Sequence, residues 1–181
     1  YYQGKVYIPN KELMDQFDEM LRKETSLGYV YNLAKESEKM LQALWYGDAS
    51  VMEQILSFAH NTETPILSYN NETELSAIVN LVFLSARDFY RVEREDKAGI
   101  GFVDFIFYPQ QQGIPGIILE LKVDHTPEEA IWQIKEKQYA LKFYGKLGEY
   151  LKVPEKILAV GIGYNKKDKK HHCKIESLER I

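Results

Sequence analysis

Residues 116–122 read Gly-Ile-Ile-Leu-Glu-Leu-Lys, and here charge interrupts a run that otherwise belongs in a protein interior. Ile117, Ile118, Leu119 and Leu121 have the apolar character of a buried strand, entered at Pro115-Gly116. Side chains alternate across a strand, so Glu120 and Lys122 project side by side while Leu121 points the other way. Burying a carboxylate and an ammonium is costly unless the charges meet each other, a metal or a polar cleft. The strand therefore either carries an internal salt bridge or opens on a site.

The 181 residues are enough for one well-cored domain of about 100–150 residues plus an appendage. No apolar run approaches the roughly 20 residues needed to cross a bilayer, so no membrane segment is expected. The single cysteine, Cys173, excludes an internal disulfide framework and fits a reducing cytoplasm. The first residue is Tyr1 rather than Met, and the expectation is a piece of a longer chain. A net charge of -4 argues against a globally basic nucleic-acid coat and leaves local patches open.

Residues 1–65 read as a small helical region. A short extended stretch over 2–9 leads to a helix start with Asn10 as N-cap; a second helix begins near Tyr29 and closes at Gly47, burying Leu33, Met40, Leu41 and Leu44. Asp48 caps a third, with Val51, Ile55, Leu56 and Phe58 inward. His60, near the end of that helix, reads as structural. A polar linker follows, with a short strand at 66–69.

Residues 72–87 form a largely buried helix on the pattern of Leu75, Ile78, Val79, Val82, Phe83 and Ala86, widened by Leu81 and Leu84. Glu72 falls on its main stripe in the first turn, where either helix-end electrostatics or a site accounts for it; Glu74 sits nearer the back. Residues 89–95 alternate as a half-exposed strand, and 102–108 form an apolar strand broken only by Asp104. A hairpin joins it to the Glu120 strand. Asp104 is either paired with Lys122 or a cation ligand.

Thr126-Pro127-Glu128-Glu129 is a capping box, and with Gly145 as the stop it predicts one helix over 127–144. Ala130, Ile131, Ile134, Leu141 and Tyr144 form its apolar stripe, with Lys137 inside the stripe and Gln133 at its edge. Both polar groups need partners, and a cleft beside Glu120 would supply them. Trp132, Tyr139 and Phe143 form a second patch to be covered by another element or by a partner chain, which leaves a homodimer open. Residues 156–164 form a last apolar strand and 165–170 a basic turn. Adjacent residues of a strand face opposite ways, so His171, His172 and Cys173 do not make a zinc site.

The ordered set, Asp104, then Glu-x-Lys sixteen residues later on an adjacent strand, then a helix bearing Gln133, resembles the PD-(D/E)xK nuclease superfamily. The Tyr-x-Val…Gly-x-Gly-x-x-Asp pattern over 90–105, residues 117–123, and Glu-Ala-x-x-Gln-Ile-x-x-Lys-x-Tyr-Ala over 129–140 resemble more particularly the nuclease-like domain found C-terminal to an AAA-ATPase-like domain. Ile8-Pro9-Asn10-Lys11-Glu12 resembles the junction that follows the ATPase-like domain.

The resemblance implies an α/β fold with a restriction-endonuclease-like core, a mixed central sheet flanked by helices, over residues 66–181, the first 65 residues being the junction to a missing N-terminal ATPase-like domain. It implies metal-dependent hydrolysis of phosphodiester bonds in nucleic acid, DNA before RNA. Asp104, Glu120 and the carbonyl of Leu121 would hold Mg²⁺ or Mn²⁺, with Glu72 joining through water. Lys122 would orient the attacking water or neutralise developing charge, Gln133 would position water or phosphate, and Lys137 would contact the nucleic-acid backbone. Val103 stands where the motif name has proline, and Leu75 or Ser76 where a histidine or tyrosine often follows the helix glutamate. A local basic track could come from Lys135, Lys137, Lys142, Lys146 and residues 166–174, or these lysines are simply solvated. The alternative function is a binding or regulatory module that keeps the scaffold without cutting.

Overall fold

The computed structural model describes residues 25–63, 72–98, 101–145 and 154–178. The expected elements at 2–9, 10–21 and 66–69, together with the Glu74 side chain, lie outside the described residues.

Two helices lead. Helix α1, Thr25–Tyr46, stops at Gly47, whose φ of +78° is a left-handed conformation open to glycine at little cost. Helix α2, Ala49–Glu63, is capped by Asp48, whose Oδ1 accepts the Val51 N–H at 3.1 Å. Phe58, expected inward, is exposed. Helix α3, Glu72–Val82, is shorter than its apolar pattern predicts and gives way to a 3-10 turn over Leu84–Asp88. A half-buried clasp accounts for the change. Ser37 Oγ of α1 accepts the Ser85 N–H at 2.8 Å, and Ser85 Oγ donates to the Ser37 carbonyl at 2.8 Å, so Ser85 is held by α1 and Leu84 turns outward.

Five strands follow in sheet order β1-β2-β3-β4-β5: β1 Tyr90–Ala98, β2 Gly101–Pro109, β3 Gly116–Val123, β4 Ile157–Asn165 and β5 Lys170–Leu178. All neighbours are antiparallel except β3 and β4, which run parallel and are joined through helix α4, Pro127–Glu136. This is the mixed α/β core, preceded by helices, that the sequence implied. Alternation splits the interior into two layers. Phe105, Phe107, Leu119, Leu121, Val160 and Ile162 pack on α1, α2 and α3. Ile106, Tyr108, Ile118 and Ala159 pack on Ile131 and Ile134 of α4.

Helix α4 carries the expected capping box, with Glu129 N donating to Thr126 Oγ1 and Thr126 N to Glu129 Oε1, both at 3.2 Å. It ends at Glu136, not at residue 144. Gln138 adopts φ +52°, and this left-handed residue resets the helical phase before a 3-10 turn at Tyr139–Leu141. The reset separates the predicted outer patch: Tyr139 and Phe143 are buried and Leu141 is exposed, while Trp132 remains outside at 63% exposure. The surface invoked for a partner chain is thus mostly interior.

Candidate active site

The site begins where two strands part. The β2–β3 ladder runs from Phe107 opposite Ile117 to Phe105 opposite Leu119 and goes no further among the described residues. N–H groups two residues apart in a strand point the same way, so the ladder's end leaves the β2-facing donors of Leu121 and Val123 without a backbone acceptor on β2. Carboxylates take both. Asp104 Oδ2, at the point on β2 where the ladder stops, accepts Leu121 N at 2.8 Å. Glu72 Oε1, from the first turn of α3, accepts Val123 N at 3.4 Å. Two acidic groups therefore line one opened strand edge, their backbone donors about 7 Å apart by strand geometry.

Glu120 lies on the α4 face of the same strand, 4% exposed. Its Oε1 is held twice, by Lys122 Nζ at 3.2 Å and by the side-chain amide of Gln133. Its Oε2 is buried and, among the described residues, has no hydrogen-bond partner. Burial first, then the negative charge of Asp104, pushes the Glu120 carboxyl up to about 7, against the opposing pull of Lys122 and of the Asp104 backbone N–H. A buried carboxylate with one oxygen unengaged beside a second carboxylate lacks a positive charge at that oxygen.

Helix α4 comes close enough to reach Glu120 because β4 is notched. Gly161 and Gly163 are the parallel partners of Glu120 and Lys122. A Cβ at Gly161 would lie 2.2 Å from the Pro127 carbonyl oxygen, and one at Gly163 2.9 Å from that of His125. Glycine at both positions lets the start of α4 rest on the strand, and two turns on, Gln133 meets Glu120. Gln133 Nε2 also lies 3.5 Å from the Tyr139 hydroxyl, which the break at Gln138 turns inward.

The structure thus brings Asp104, Glu120, Lys122 and Gln133 together, with Glu72 at the adjoining edge. Lys137 stands apart at the end of α4, 3.9 Å from the Glu136 carboxylate. The salt bridge expected as one option within β3 is present, between Lys122 and Glu120. Tyr139, Gly161 and Gly163 were missed as contributors. The signal for the glycines was present, since two small residues alternate in an otherwise bulky apolar strand; nothing local marks Tyr139, whose direction depends on the left-handed Gln138.

Among the described residues no three His, Cys, Asp or Glu side chains converge tightly enough to hold a metal alone. The donors that do converge, Asp104 and Glu120, are hard oxygens with one buried oxygen unengaged. They fit a hard divalent cation that takes its remaining ligands from backbone carbonyl and water. Also among the described residues, no helix is long and apolar enough to cross a membrane.

A family model described as the PD-(D/E)XK nuclease superfamily matches residues 70–173, a span that holds every residue of this cluster. No curated protein matches the chain.

Proposed function

The chain belongs to the PD-(D/E)XK nuclease superfamily, and from that membership we propose that it is a metal-dependent nuclease acting on phosphodiester bonds, DNA before RNA. The observation that carries the reading is the buried, unpartnered Glu120 Oε2 beside Asp104. Asp104, Glu120 and the Leu121 carbonyl would hold Mg²⁺ or Mn²⁺, with Glu72 joining through water. The cation supplies charge compensation at the phosphate and activation of water.

The chain's own groups do the rest. Gln133 and Lys122 fix Glu120 Oε1 and so leave Oε2 as the group's metal-facing oxygen. The Leu121 N–H holds Asp104 in register with it. Lys122, half-buried at the same strand face, brings a positive charge to where negative charge develops and can orient the attacking water. Lys137 is assigned to the nucleic-acid backbone. Residues 66–181 are in this reading the nuclease-like unit of a larger cytoplasmic protein. Residues 1–65 are then its junction with an ATPase-like domain.

A second reading, a non-cutting binding module, is favoured by one contact: the Lys122–Glu120 pair at 3.2 Å already compensates one charge without metal. Cleavage of labelled single-stranded, duplex and branched DNA and RNA with Mg²⁺ or Mn²⁺ separates the two, comparing the chain with Asp104→Ala and Lys122→Ala. Metal-dependent cutting abolished in both variants supports the nuclease. Binding without cutting, and no gain in melting temperature with Mn²⁺, supports the module.

A further inference from the structure

We propose that the β4–β5 hairpin, through Lys167, Lys169 and Lys170, grips the phosphodiester backbone of the nucleic acid beside the cleavage site. The inference rests on the nuclease reading and deepens it by naming where the substrate runs. Residues 166–170 read Lys-Lys-Asp-Lys-Lys, and all five are exposed.

Ion pairs divide the lysines that the sequence grouped as one basic track. Lys135 meets Glu176, Lys174 lies between Glu128 at 3.5 Å and Glu176 at 3.4 Å, and Lys137 is near Glu136. These exposed pairs reduce the charge that the lysines offer a ligand, least so for Lys137, whose carboxylate partner is 3.9 Å away. Lys166 is paired as well, its ammonium 2.8 Å from Asp124 Oδ2. By contrast, the ammonium groups of Lys167, Lys169 and Lys170 have no carboxylate partner among the described residues. The Asp168 carboxylate instead accepts the Lys170 N–H at 3.1 Å.

Position supplies the second observation. Lys122 pairs in register with Gly163 and Val123 with Tyr164, so the turn begins three residues beyond the level of Lys122, about 10 Å along the strand direction. Its place there is pinned. Asp124, two residues after Lys122, accepts the Lys166 N–H through Oδ1 at 2.9 Å while Oδ2 holds the ammonium, and Asp124 N donates to the Tyr164 carbonyl at 2.8 Å. A preordered turn in which Lys167, Lys169 and Lys170 outnumber the single Asp168 carboxylate keeps a net positive charge at this end of β3 and complements a polyanion held at Asp104 and Glu120. A net charge of -4 makes such a local patch the means of attracting it.

The test is fluorescence anisotropy of labelled 30-mers, duplex DNA, single-stranded DNA and RNA, without divalent cation so that nothing is cut, over a range of salt. The Lys167→Gln/Lys169→Gln/Lys170→Gln variant is compared with the intact chain and with Lys39→Gln/Lys135→Gln/Lys174→Gln, which removes the same charge from paired positions. The hairpin variant is expected to bind at least tenfold more weakly near 0.1 M salt. Its slope of log K against log salt should shrink by about 2 to 3 on duplex, roughly 0.9 for each phosphate that the protein no longer neutralises. The control should change the slope by less than about 1 on the same scale. An unchanged melting temperature shows that the hairpin variant is folded.

Metal-dependent cutting by an intact chain whose salt slope is the same in the hairpin variant overturns the hairpin and leaves the nuclease standing. A hairpin-dependent slope with no cutting under Mg²⁺ or Mn²⁺ keeps the hairpin and overturns the nuclease. Neither binding nor cutting by the intact chain overturns both.

Discussion

Asp104 Oδ2 accepts the backbone N–H of Leu121 at 2.8 Å, so the carboxylate that raises the Glu120 pKa also completes the hydrogen bonding of the strand bearing Glu120. The two roles separate by substitution. Asp104→Asn keeps an acceptor for Leu121 and removes the charge; Asp104→Ala removes both. We expect metal-dependent cutting to vanish in each. Asp104→Ala should be the less stable by about 1–3 kcal/mol, the cost of a buried donor left unsatisfied. Urea denaturation at pH 8 checks the difference, and equal stabilities for the two variants would remove the structural role.

Glu120 sets a pH dependence of known sign. Its folded value of about 7 lies above the ordinary 4.5, so between these values the folded chain holds a proton that the unfolded chain has released. Stability from this group is therefore greatest below 4.5 and falls as pH rises to 7, by roughly 3 kcal/mol in all at 1.4 kcal/mol per unit. Glu120→Gln should flatten that part of the profile. A cation must displace the same proton, so the Mn²⁺-induced rise in melting temperature should grow from pH 6 to pH 8 in the intact chain and be absent in Glu120→Gln.

His171 works in the opposite direction on the far face of the sheet. Its ring lies 5.4 Å from that of His60 and 4.9 Å from that of Tyr164. Burial, then His60 and His172, lowers its pKa from 6.5 to about 3. The folded chain keeps this ring neutral, so its contribution is complete above 6.5 and is lost as pH falls towards 3, on the order of 5 kcal/mol. His171→Phe should move the acid-unfolding midpoint to lower pH, read by circular dichroism. An unmoved midpoint would show that other groups govern acid unfolding.

These groups were unequally legible in the sequence. Asp104, Glu120 and Lys122 stood out because charge inside an apolar strand is costly and therefore conspicuous. The capping box marked the start of α4 for the same kind of local reason. The end of α4 was not legible, because Gly145 offered a stop while the observed break at Gln138 comes from a non-glycine residue held left-handed. That one dihedral decides that Tyr139 and Phe143 face inward, and periodicity carried past it put them on the wrong side. The end of α3 failed likewise: Ser85 looks like any helix residue until Ser37, 48 positions earlier, claims its N–H. Glu72 was legible as a polar residue on a buried stripe, but its partner, the Val123 N–H, is free to meet it only because β2 leaves β3 at Leu119.

Gly161 gives the sharpest test of how the fold sets the site. A Cβ there would fall 2.2 Å from the Pro127 carbonyl oxygen and 3.0 Å from Ala130 Cβ, so Gly161→Ala requires backbone at the start of α4 to move. Overpacking of this kind costs about 1–3 kcal/mol, and the displaced helix would carry Gln133 away from Glu120 Oε1. We expect cutting to fall at least tenfold, the loss that a 1.4 kcal/mol rise in barrier produces. Gly113→Ala is the matched control. Its added Cβ meets nothing within 4 Å, but φ of +84° makes the residue strained, so it should lose about 1 kcal/mol and keep its activity. Rates measured well below both melting temperatures distinguish a displaced Gln133 from a merely weakened fold: if Gly113→Ala and Gly161→Ala lose activity in proportion to stability alone, the notch in β4 does not set the site.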